Sequence, residues 1–179
     1  MFERAFAYAG LQFARLQFRS DIDAVQPMTN FFSAARNILI TLPVGYEDAV
    51  LAGKALSMLH DRMNSMHVTI IHTGTRATPL SSLPRSEVVR IDPNDINKFS
   101  LPRRSLLQRI LPQTFDVALD LNLDFVLHTA YICKATRAGV RVGFSRAAAD
   151  EFFNVRINLD RQLAPQASYE HVATFLSMF

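Results

Sequence analysis

Two adjacent carboxylates, Glu47 and Asp48, stand in "LPVGYEDAV", where an apolar run gives way to a helical pattern. A carboxylate in the crevice beyond a strand end can take a proton from an attacking hydroxyl, which is the work of a general base. An acidic residue at a helix start can also simply accept backbone N–H groups as a cap, worth about 1 kcal/mol. Both readings apply to Asp48, and Glu47 is the competing carboxylate one residue away. Gly45 precedes the pair and is expected to free the backbone for a sharp turn. A second loop, "DLNLDF", carries Asp120, Asn122 and Asp124. Asn122 can hydrogen-bond a polar ligand there, and Asp124 is expected to cap the next helix. Arg146, just after "GVRVGF", completes the candidate set, since a guanidinium suits a phosphorylated or otherwise anionic acceptor. Other basic residues gather at Arg103, Arg104 and Arg109, and at Lys134, Arg137 and Arg141. They form a solvated face unless they converge on the crevice.

The remaining chemistry is sparse. The single cysteine, Cys133, permits no internal disulfide, and "TAYICKAT" reads as a buried helix face. Five histidines are scattered without the spacing of a metal site, so no metal is expected. GxGxxG and GxxxxGK[ST] are both absent, which disfavours NAD and P-loop ATP, and no cofactor is expected.

These residues must be held by a scaffold, and the pattern is α/β. Strands are expected at 37–42, 67–72, 87–91, 115–121 and 140–144, several as near-continuous runs of Ile, Leu and Val. Helices are expected at 48–63, 103–111 and 125–138, with a loop in "TGTRATPLSSLPRS" between the second and third strands. A short helix is expected near residues 30–36, an alternating strand at 153–159 and an amphipathic helix in "SYEHVATFLSMF". The alternation predicts a single Rossmann-like domain with a mainly parallel, doubly wound sheet. Right-handed crossovers then bring "PVGYED", "HTGTRAT" and "LNLDF" to one edge.

The chain has 179 residues, 49% of them hydrophobic, enough for one domain with a sizeable core. Its net charge of +3 is too small to argue for nucleic acid, and none is expected as a partner. The first twenty residues form an amphipathic pattern with Phe2, Phe6, Ala9, Phe13 and Leu16 on one face. That face can dock on the domain or on a partner, or lie on an anionic membrane surface. No membrane span or signal peptide is read in the sequence, so a cytoplasmic location is expected, with peripheral contact at the inner membrane through residues 1–20. The expected division is residues 1–36 as helix and connection, and 37–179 as the α/β domain.

Together, these segments resemble the N-terminal domain of the family 9 glycosyltransferases, the lipopolysaccharide heptosyltransferases of bacteria. "EDAVLAGKALSML" is similar to the family's first helix, and the family's catalytic Asp falls on Asp48. "FDVALDLN", "AGVRVGF" and "SYEHVATFLSMF" resemble its later strands and closing helix, so the likeness runs over residues 37–179. Glu47 stands where the family has Gly, and Lys54 where its helix has Pro. The resemblance implies half of a GT-B glycosyltransferase: the acceptor domain, without the second domain that binds the nucleotide-sugar. Three functions follow from it. The first is a heptosyltransferase-like domain that is not catalytic alone and binds a glycan, an anionic lipid or a protein. The second is the acceptor half of a split enzyme, with Asp48 as base and a separate chain supplying the donor domain. The third is a membrane-surface scaffold or a homodimer.

Overall fold

The computed structural model runs α1 (Phe2–Phe18), β1 (Asn37–Thr41), α2 (Tyr46–Ser57), α3 (His60–Met63), β2 (His67–Thr73), β3 (Ser86–Ile91), α4 (Arg104–Ile110), β4 (Val117–Asp120), α5 (Leu127–Ala135), β5 (Val140–Phe144), β6 (Val155–Ile157) and α6 (Pro165–Ser177). The structure describes residues 2–23, 28–73, 83–160 and 162–179. The six strands form one sheet in the order β3-β2-β1-β4-β5-β6. Every neighbouring pair is parallel. This is the doubly wound α/β domain expected, and its apolar runs are explained by cover on both faces. From β1, Ile38 and Ile40 enter a core with Ala52 and Leu56 of α2 and Tyr169 and Val172 of α6. Leu39 points the other way, into a core with Leu106 of α4, Ala130 and Ile132 of α5, and Ala14 of α1.

Several boundaries differ from expectation for local reasons. The helix expected at 48–63 is two helices, α2 and α3. Leu59 leaves helical geometry (φ −99°, ψ 11°) between them. The bend lets Leu59 and Met63 both enter the core beside α2. Around residues 30–36 the chain makes hydrogen-bonded turns rather than a helix, beginning at Asn30 with φ 58°. β6 spans three residues at the sheet edge, shorter than the alternation suggests. The helix starts at Asp48 and Asp124 are also corrected: α2 is capped by Gly45 and α5 by Val126, neither through a side chain. The loop expected between the second and third strands lies largely outside the described residues, as does Pro27.

α1 packs on the domain through Phe6 of the expected face, but not through Phe13 or Leu16. Phe13 is 57% and Leu16 70% exposed, while Ala14 is fully buried. Phe2's side chain lies outside the described residues. The cause is Gly10: a Cβ there would overlap the Phe99 carbonyl oxygen. Close approach at Gly10 therefore fixes which side of α1 faces inward. Phe6 stacks edge-on against Phe99, and Phe18 packs on Tyr131 and Phe152. Arg15 adds hydrogen bonds of 2.6–2.8 Å to Glu151. Gly10→Ala is expected to force α1 outward and cost about 1–3 kcal/mol, measured by urea denaturation. An unchanged midpoint would show that α1 is not held at Phe99. Among the described residues, no helix is long and apolar enough to cross a membrane.

Candidate functional site

The sheet changes direction between β1 and β4. From β1 the chain builds outward to β2 and β3, and from β4 outward to β5 and β6. The crevice beyond the carboxyl ends of such a strand pair is where open α/β sheets bind ligands. Thr41 and Asp120 are register partners at those two ends. Partners point to the same face, and the Thr41 hydroxyl donates to Asp120 Oδ1 at 3.0 Å. Two residues on, Asn122 donates to the same oxygen from its backbone N–H at 3.0 Å and from Nδ2 at 2.7 Å. Thr129, in the first turn of α5, places its hydroxyl 2.8 Å from Asp120 Oδ2. All four residues are buried.

Burial raises the Asp120 carboxyl above the ordinary carboxylate value, against the hydrogen bonds from Asn122, Thr129 and Thr41. The proton count agrees with that direction. Thr129 Oγ1 lies 3.0 Å from the Val126 carbonyl as well as 2.8 Å from Asp120. A hydroxyl has one proton and cannot donate to both. With a proton on Oδ2, Asp120 would donate to Thr129 and Thr129 to Val126.

The network reaches the loop after β1 through one bond. Asn122 Oδ1 accepts from the Val44 N–H at 3.0 Å. Asn122 is therefore buried, with its amide engaged by the protein's own groups, and it acts on the neighbouring loop. Gly45 has φ −72° and ψ 130°, ordinary extended backbone, so the sharp turn expected of it is not made. Space is its distinguishing property: an added Cβ would meet only Asp48 Oδ2, at 3.8 Å. Glu47 is exposed and Asp48 half-buried, both in the first turn of α2. Among the described residues neither carboxylate makes a side-chain hydrogen bond or ion pair, although both complement the helix dipole. Near them lies Tyr169 of α6, 1% exposed, whose hydroxyl has no partner among the described residues. Burial raises its pKa strongly, and the Asp48 and Asp120 carboxylates raise it further.

Arg146 follows β5 on the same edge, half-buried, and donates to its neighbour's Ser145 carbonyl at 2.9 Å. Gly45, Glu47, Asp48 and Asn122 are brought together, while Arg146 stands two strands away. The other basic residues do not converge on the crevice. Arg109 pairs with Asp95 at 2.6 Å, and Lys134 and Arg141 are buried at the opposite edge of the sheet. No group of three His, Cys, Asp or Glu side chains among the described residues has metal-binding geometry. Cys133 is buried, which pushes its thiol up.

A cavity of about 510 Å³ at the far edge and one of about 430 Å³ at this edge differ in character. The second is lined by Val44, Thr73, Arg90, Ile91, Ile96 and His128, and so adjoins the Asp48 loop. Spacing alone does not mark His128, which lies in the first turn of α5. Its Nε2 is buried without a partner among the described residues, and burial lowers its pKa from 6.5 to about 4. The unfolded chain then binds a proton that the folded chain rejects between those values. The stability contributed by neutral His128 is complete above pH 6.5 and lost as pH falls towards 4. The loss is up to about 3 kcal/mol. It is measured as the difference in pH–stability curves between the wild type and His128→Phe, in which this acid loss should vanish.

No family model and no curated protein matches the sequence. Solved structures that share the fold include two glycosyltransferases. The E. coli heptosyltransferase WaaC, determined with ADP, is similar over 78% of this chain and 46% of its own, with a TM-score of 0.61 and 15% identity. A family 9 glycosyl transferase of Veillonella parvula is similar over 80% of this chain and 42% of its own, with a TM-score of 0.58 and 17% identity. The chain thus spans less than half the length of either protein, and it has the fold of one Rossmann-like half of a glycosyltransferase.

Proposed function

We propose that this chain binds the acceptor of a glycosyl transfer, a glycan bearing anionic groups such as a lipopolysaccharide precursor, and is not catalytic by itself. One observation carries the reading: the half-buried Asp48 carboxylate, without a hydrogen-bond partner among the described residues, stands on a loop stapled to Asn122 at the switch point of the sheet. A sugar hydroxyl is a donor of the kind such a carboxylate lacks. The open space above Gly45 lets a ligand approach the backbone, and Arg146 on the same edge suits an anionic substituent.

The same carboxylate favours a second reading, the acceptor half of a split transferase. With a donor-binding chain in place, Asp48 would take the proton of the acceptor hydroxyl. The oxygen would bond to the anomeric carbon as the nucleoside diphosphate leaves with the electron pair of the broken bond.

Calorimetric titration tests the first reading. Phosphorylated oligosaccharides should bind saturably, with affinity about tenfold weaker in Asp48→Asn through loss of a charge-assisted hydrogen bond. Gly45→Leu should abolish binding by filling the crevice while leaving the circular dichroism spectrum unchanged. ADP- and UDP-sugars should give no heat. Nucleotide-sugar binding by this chain, or acceptor binding indifferent to Gly45→Leu, contradicts the proposal.

A further inference from the structure

At the edge where the strands begin, the last turn of α5 meets the start of β5, and two cations are buried there. The side chain of Lys134 is 7% exposed and that of Arg141 4%. Arg141 donates to the carbonyls of Phe152 at 2.9 Å and Ala138 at 2.8 Å. Its remaining bond goes to Asp23 Oδ2 at 2.5 Å. Lys134 reaches the same carboxylate at 3.2 and 3.4 Å, long for a charge-assisted bond. Asp23, itself 38% exposed, is the one acid bonded to either cation among the described residues. A single carboxylate thus serves two buried positive charges, and unpaired buried charge is costly.

The cavity lining brings a third cation and a second carboxylate, so the excess of one positive charge persists. Both cations line the cavity of about 510 Å³ together with Arg137 and Asp21. Arg137 holds φ 56° just past the end of α5, a position where glycine is usual and a side chain is strained. We infer that this cavity is an oxyanion site for a phosphate group, held by Lys134, Arg137 and Arg141, which Asp23 occupies until the anion displaces it. The cavity has room for a phosphate with the sugar it esterifies. It lies across the sheet from the Asp48 loop and does not depend on that loop's function.

Melting temperature is measured against inorganic phosphate and glucose 1-phosphate at fixed ionic strength, with chloride as control. Both ligands should raise it saturably. Asp23→Asn should bind roughly tenfold tighter by removing the internal competitor, and Arg137→Asn roughly tenfold more weakly. Asparagine tolerates the left-handed backbone, so Arg137→Asn should melt like the wild type without phosphate. Tighter binding of the monoester would assign the site to a phosphorylated sugar, and equal affinity to the free ion. The inference is overturned by no saturable shift in either the wild type or Asp23→Asn, by a shift that chloride reproduces, or by binding indifferent to Arg137→Asn. Asp23 would then be only a clasp holding the connection after α1.

Discussion

Asp120→Ala is expected to destabilise the fold by about 3 kcal/mol or more, whereas Asp120→Asn should stay within about 1 kcal/mol of the wild type at neutral pH. Alanine removes the acceptor used by the Thr41 hydroxyl and by both nitrogens of Asn122, stranding buried donors. Asparagine keeps an oxygen for those donors and presents an N–H to Thr129, which then donates to Val126. It reproduces the hydrogen bonds of a protonated carboxyl. The pH dependence follows with a definite sign. The folded pKa of Asp120 lies above its ordinary value of 3.8, so the folded chain holds a proton that the unfolded chain releases. Its contribution is complete below that value and is lost as pH rises through the folded pKa. This opposes the trend of His128, and the two separate only in single variants. Asp120→Asn should remove the loss on raising pH. A large penalty for Asp120→Asn would mean that the buried group is an ionised carboxylate.

Asn122→Ala should loosen the loop without unfolding the domain, costing about 1–3 kcal/mol for the groups left unsatisfied. The Val44 N–H loses its acceptor, and its hydrogen exchange should accelerate strongly while amides within β1 stay protected. Acceptor binding should fall with it, because Gly45, Glu47 and Asp48 follow directly from Val44. Retained protection at Val44 would show that packing alone holds the loop.

Much of this architecture is written in local pattern. "NILIT", "VALD" and "VRVGF" are strands because their apolar residues are covered on both faces of the sheet. The Asp48 loop could be placed at a strand end for the same reason. What the pattern does not carry is neighbourhood. Thr41 meets Asp120 only because β4 returns to lie beside β1, a crossover of more than seventy residues that spacing cannot register. Asn122 therefore read as a ligand contact, whereas its amide bonds to the protein's own groups. Lys134 and Arg141 read as a solvated face, yet the approach of α5 to β5 buries both. Phe13 and Leu16 lie outside because Gly10, one turn after Phe6, brings the Phe6–Gly10–Ala14 stripe of α1 inward against Phe99, a steric fact absent from helical periodicity.

The most direct test of the central claim is a map of backbone amide shifts on titrating a phosphorylated oligosaccharide into the isotope-labelled chain. If the crevice above β1 and β4 is the acceptor site, the perturbed amides will be those of Val44 to Asp48 and Asn122 to Asp124, and Asp48→Asn will weaken the response at all of them together. Shifts confined to other surfaces, or a Val44–Asp48 loop that stays silent at saturation, would contradict it.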